Sequence, residues 1–154
     1  MTPEQISEKL EIAKKIFLDL HHMLLEVGAN ERSITHKFAE CMTALFEGWN
    51  VDCEYNRDGY EPKRIVKNIN EVVRIDDDNA VTAFPDIIVH HRGGSGAENN
   101  LLVIEAKKDS SKAAVEDDCE KLRRIKNSLN YQFTAFINFK TGERCGIDIR
   151  ELNE

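Results

Sequence analysis

Phe84-Pro85-Asp86-Ile87-Ile88-Val89, then Gly93-Gly94-Ser95-Gly96, then Leu101-Leu102-Val103-Ile104-Glu105-Ala106-Lys107: the reading of this chain turns on that stretch. Two runs rich in β-branched residues on either side of a glycine turn predict a β-hairpin. Side chains alternate along a strand, so Glu105 and Lys107 share a face. A hairpin symmetric about Ser95 and Gly96 sets Asp86 directly opposite Glu105. Opposed residues of an antiparallel pair share a face, with Cβ atoms about 4.5–5.5 Å apart. Two carboxylates and an ammonium group therefore meet at the end of an apolar hairpin. Like charges that close repel unless a cation lies between them, and a hard divalent ion with oxygen ligands suits the pair. The plainer alternative is a surface hairpin in which Lys107 forms a salt bridge with one of the acids.

Outward from the hairpin, the chain of 154 residues predicts one domain, 41% hydrophobic and 32% charged, as in ordinary globular proteins. No apolar run approaches the ~20 residues that span a bilayer. Met1 to Gln5 lacks the basic and apolar regions of a secretory signal. The four cysteines (Cys41, Cys53, Cys119, Cys145) have no paired spacing, which argues against a disulfide framework or a structural zinc site and fits a cytoplasmic protein. His21-His22 and His90-His91 are adjacent pairs without ligand spacing, expected as surface or core residues. A net charge of −7 argues against a protein that coats nucleic acid nonspecifically. Basic residues still cluster, at Lys63, Arg64 and Lys67, at Lys107, Lys108 and Lys112, and from Lys121 to Lys126.

The N-terminal segment predicts a helix capped by Thr2, with Pro3 in the first turn and Gln5 at the capping-box position. Ile6, Leu10, Ala13, Phe17, Leu20, Leu24 and Val27 repeat at 4-3 spacing, which suits a seam against another helix of the same chain or of a second copy. Ile12, Ile16, Leu18, Met23 and Leu25 add apolar surface beyond one stripe, which predicts burial on several sides and a homodimer. Gly28 stops this helix and Asn30 caps the next, expected from Glu31 to Phe46. At 100° per residue Ile34, Phe38, Cys41, Met42 and Leu45 form one stripe, and Glu31 projects onto it while His36, Glu40 and Glu47 do not. Glu31 either joins an acidic site below or favours the helix dipole in the first turn.

Trp49 to Tyr55 reads as a strand with Val51, Cys53 and Tyr55 inward and Asp52 and Glu54 on the other face, Glu54 being a second candidate acid. Asn56 to Ala83 reads as a long polar excursion with a short strand at Val72 to Ile75, of a length that usually implies function or mobility, and is expected as a flap or substrate-contacting excursion. A helix with Val115, Cys119, Leu122, Ile125 and Leu129 on one face follows Lys107. Strands at Tyr131–Phe139 and Cys145–Arg150 close the chain around Lys140-Thr141-Gly142.

Pro85-Asp86 and Glu105-Ala106-Lys107, with strand, turn and strand around them, resemble the signature of the PD-(D/E)xK nuclease superfamily. The resemblance covers the chain from about Asn30 onward. It implies an α/β (α+β) fold with a restriction endonuclease-like core: a mixed central sheet flanked by helices (30–154), preceded by an extra N-terminal helix (1–28). It implies a Mg²⁺- or Mn²⁺-dependent endonuclease or exonuclease acting on DNA, or less readily RNA. Asp86, Glu105 and the Ala106 carbonyl would bind the metal, Glu31 would join them by its position on the first core helix, and Lys107 would orient the attacking water. Lys108, Lys112 and Arg64 would contact nucleic acid. A dimer or a partner protein would supply specificity in so small a chain. The competing readings are a non-catalytic nucleic-acid-binding module that retains the fold and a protein-interaction module with a structural cation site.

Overall fold

The computed structural model describes residues 1–55 and 85–152, and within 56–84 the backbone of four short strands. The chain order is α1 (Pro3–Glu26), α2 (Glu31–Thr43), β1 (Asn50–Cys53), β2 (Arg57–Asp58), β3 (Glu61–Pro62), β4 (Arg64–Val66), β5 (Ala80–Thr82), β6 (Ile87–His90), β7 (Asn100–Lys108), α3 (Lys112–Leu129), β8 (Phe133–Lys140) and β9 (Gly146–Glu151). Five strands form one mixed sheet in the order β1-β6-β7-β8-β9. Its pairings are antiparallel except β7 with β8, and that parallel pair needs the crossover which α3 provides. β2 pairs with β3 and β4 with β5 in two separate ribbons. The strand expected at Val72–Ile75 lies outside the described residues.

Alternation along the strands decides which helix each side chain meets. Ile87, Val89, Leu102, Ile104 and Ala106 point into a core with α1 and α2, where Phe17, Phe38 and Phe139 lie with ring centroids 5.7–6.1 Å apart. Ile88, Val103 and Phe136 point the other way, against Cys119, Leu122, Ile125 and Leu129 of α3. Two helices pack on one face and α3 packs on the other. No helix among the described residues is long and apolar enough to cross a membrane.

Thr2 and Gln5 form the expected reciprocal cap of α1, with bonds of 3.3 and 2.8 Å. The seam expected on α1 holds only to Phe17. Ile6, Leu10, Ala13 and Phe17 are fully buried, whereas Leu20 and Val27 are 70% and 67% exposed. His21 leaves helical geometry (φ −129°, ψ 15°), and beyond it Leu25 is the buried residue, with its carbonyl held by Gly142 N at 3.0 Å. α2 ends at Thr43 rather than Phe46, and Phe46 reaches the core from the following turn. Tyr55 corrects another expectation: it packs with the α3-side cluster, not with Val51 and Cys53. Glu54 between them has φ +49°, so the strand alternation stops at Cys53.

Candidate functional site

The hairpin pairs Ile87 with Ile104 and Ile88 with Val103, the register expected from symmetry about Ser95 and Gly96. It slips by one residue only at the turn end, between Val89 and His90. Continuing the same count, Asp86 follows at the position of Glu105. Asp86 carries its carbonyl toward β1, accepting from Glu54 N at 3.1 Å, and its carboxylate Oδ2 accepts from Ala106 N at 2.8 Å. The N–H and C=O of Ala106 point toward β6, where the facing residue is Pro85, which has no N–H to offer that carbonyl. Across β7 the register runs from Glu105 to Phe136 and Arg150, and from Lys107 to Asn138 and Asp148.

Glu105 is 2% exposed. Its Oε1 takes both nearby cations, Lys121 Nζ at 2.7 Å and Lys107 Nζ at 3.6 Å. Its Oε2 is buried with no hydrogen-bond partner. A buried polar atom left without a partner costs about 1–3 kcal/mol, and more when charged. Burial and the Glu105 carboxylate together push Asp86 up to about 6, against the bond from Ala106 N and the charges of Lys107 and Lys121. Burial works against the charge on Lys107, but the carboxylates of Glu105, Asp118, Asp86 and Glu31 outweigh it and hold its pKa above the ordinary lysine range. Lys107 is therefore an ammonium group. The group just behind it is pinned: Asp109 (φ +52°) accepts from Thr141 N and Oγ1 at 2.9 and 2.6 Å, and Asn138 holds the Ser110 backbone.

Glu31 projects from α2 toward the domain, as its helical phase requires, and its Oε2 accepts from Lys108 N at 3.0 Å. It reaches the end of β7 from the α2 side and ties itself to the backbone there. Among the described residues no three His, Cys, Asp or Glu side chains gather into a group that could hold a metal ion. The oxygen donors present at the hairpin are thus Asp86 and Glu105, with the Ala106 carbonyl beside them. A cleft of about 750 Å³ opens from Asp86 between α2 and β1, lined also by Glu31, Arg32, His36, Cys53 and Glu54. Glu54 faces it half-exposed, accepting from Arg32 at 3.1 Å.

Of the residues expected to meet nucleic acid, Lys108 donates from Nζ to Ala29 O at 3.3 Å. Lys112 lines a second cleft of about 450 Å³ beside Ser110, Asn138 and Arg150. The side chain of Arg64 lies outside the described residues, as do Lys63 and Lys67. Lys121, which the sequence offers only as part of a basic cluster, is the cation nearest Glu105. It borders the apolar stripe of α3 next to Leu122, and its partner lies across the helix–sheet interface, where no spacing in the sequence points to it.

A scan against protein-family models found no match, and neither a search of curated proteins nor a search of solved structures found a similar protein.

Proposed function

We propose that the chain is a metal-dependent nuclease that hydrolyses phosphodiester bonds of DNA, with RNA as the lesser option, on a restriction endonuclease-like core. The observation that carries this reading is the unpartnered, buried Oε2 of Glu105, beside an Asp86 whose carboxylate is costly to ionise. Both features are relieved by a divalent cation, and the donor set of two carboxylates and one carbonyl suits Mg²⁺ or Mn²⁺, which keeps several waters. Such an ion acidifies a bound water and offsets charge on a phosphate oxygen. Asp86 and Glu105 hold the cation against the sheet, and the cleft beside Asp86 admits the substrate strand. Lys107, on the face of Glu105, orients the attacking water and offsets the charge that develops on phosphorus-bound oxygen. Lys121 holds Glu105 Oε1 in place. Glu31 serves as an outer acid that anchors the end of β7.

The test is incubation of the purified protein with supercoiled plasmid, linear DNA and RNA in Mg²⁺, Mn²⁺ or EDTA. Cleavage should require the metal and fall by at least about 100-fold in Lys107→Ala, with folding retained. Full activity of that variant would make the motif a coincidence. The two lysines already on Glu105 Oε1 favour a second reading, in which the acids are internally neutralised and the fold serves as a nucleic-acid-binding or protein-interaction module. Metal-independent binding without turnover would select it. In either case the exposed apolar residues Leu20, Met23 and Val27 (70%, 66% and 67% exposed) support association of two copies through α1. Light scattering should then report about twice the chain mass, reduced to a monomer by Leu20→Glu with Met23→Glu.

A further inference from the structure

A second group of reactive side chains lies where the β8–β9 turn meets α1. Cys145 Sγ is 3.3 Å from His22 Nε2, and His22 Nδ1 is 3.2 Å from Glu26 Oε1. His22 and Glu26 stand one helical turn apart on α1, so the helix itself sets their spacing. The turn is held against α1 by Gly142 N on Leu25 O at 3.0 Å, and Cys145 N closes it on Gly142 O at 3.2 Å. The proton positions follow from chemistry. A carboxylate only accepts, so Nδ1 carries the hydrogen toward Glu26, and Nε2 presents its lone pair to the Cys145 S–H. That is the order of nucleophile, base and orienting acid that activates a thiol.

The other three cysteines lack it. Cys41 and Cys119 are buried. Cys53 is partly buried, and burial together with Asp52, Glu54 and Asp86 pushes its thiol up to about 11. Cys145 is only partly buried, and His22 is exposed to solvent.

We infer that Cys145 is a thiol-modification site that reacts with low-molecular-weight disulfides. His22 Nε2 takes the proton from Sγ, and Glu26 holds the resulting imidazolium. The thiolate attacks one sulfur of the disulfide, the S–S bond breaks, and a mixed disulfide forms on Cys145. The departing thiolate takes the proton from His22 and leaves as a free thiol, so one disulfide is consumed and one thiol released for each cysteine modified.

The full chain, treated with dithionitrobenzoate or with oxidised glutathione and read by released thiol and by peptide mass, tests this. One fast equivalent should map to Cys145 and vanish in Cys145→Ser. The fast rate should fall about tenfold in His22→Gln, which keeps a polar side chain but no base, and by a smaller factor in Glu26→Gln. A fast phase that survives Cys145→Ser would overturn the assignment. So would a His22→Gln rate reduced by less than about threefold, which would make the thiol merely accessible. None of these outcomes depends on whether the protein cleaves nucleic acid.

Discussion

Asp52 and Glu105 are two acids on the same face of one sheet, and the fold treats them oppositely. Asp52 is saturated. His90, itself 2% exposed, reaches it through Nε2 at 2.8 Å, and Arg92 grips both its oxygens, with Nε at 2.8 Å. Burial works against its charge, but the hydrogen bonds and charges of Arg92 and His90 outweigh it and hold Asp52 below the usual carboxylate range. Glu105 crowds two lysines onto one oxygen and leaves the other bare, while the neighbouring Asp86 is driven upward. A fold that completes one carboxylate and leaves another incomplete, two strands away, is the contrast on which the proposed cation site rests. Asp52 is structural in this contrast, and the pair Asp86–Glu105 is the site in the proposed reading.

Removing the saturated acid should have the largest effect. Asp52→Ala leaves His90 buried without this partner and should destabilise the fold by about 4 kcal/mol in urea unfolding, as truncation of buried ion pairs does. The metal response at Asp86 and Glu105 should survive in whatever folds. A loss below about 1 kcal/mol would place Asp52 among surface ion pairs and remove the contrast.

The incomplete site should answer with the opposite sign. Asp86→Asn keeps an oxygen for Ala106 N but cannot ionise. In the wild type the folded state holds the Asp86 proton up to about 6, while the unfolded chain releases it near the ordinary aspartate value. Folding therefore binds protons between those limits, and wild-type stability falls as pH rises through that window. Below about pH 4 the two proteins should be equally stable, and at pH 8 without metal the variant should be more stable by up to about 3 kcal/mol. Equal stability at both ends would show that Asp86 ionises freely.

How much of this is legible in the sequence differs between the two acids. The hairpin count placed Asp86 against Glu105 because register is set by pairing on either side of one short turn, and a slip at His90 left the other end intact. The phase of α2 put Glu31 inward for the same local reason. Asp52 could be assigned to a polar face by alternation, but its partners His90 and Arg92 come from a different strand and its loop, and no spacing within β1 points to them. Lys121 was hidden likewise, since its partner sits 16 positions away across a packed interface. α1 misled because a 4-3 repeat assumes one straight helix. The break at His21 and the turn that covers Leu25 change which side is buried.

If the incompleteness of Glu105 is a cation site, metal should stabilise the wild type by mass action. At a Mg²⁺ or Mn²⁺ concentration about 100 times Kd the gain is about 2.7 kcal/mol, or about 5–10 °C in melting temperature for a chain of this size. Asp86→Ala and Glu105→Ala should each abolish most of that rise, while Asp52→Ala should keep it. The rise should also grow between pH 5 and 7, because the ion competes with the proton on Asp86, whose pKa is raised to about 6. A response unchanged in both site variants would mean that the ion binds elsewhere.

The smallest expected effect separates two acids of α2. Glu31 accepts from Lys108 N at the end of β7, whereas Glu40 lies on the outer face and pairs with Lys37 at 2.9 Å and His36 at 3.0 Å. Glu31→Gln keeps an acceptor oxygen for that amide but removes a charge that acts on Lys107. Stability should therefore change by less than about 1 kcal/mol, while metal-dependent cleavage falls several-fold. Glu40→Gln loses only solvent-exposed ion pairs and should be silent in both measurements. Cleavage lost in Glu40→Gln and kept in Glu31→Gln would mean that the catalytic cleft opens on the other side of α2. The pocket beside Asp86 would then be no part of the site, and the contrast between a complete and an incomplete acid would have to be redrawn around a different carboxylate.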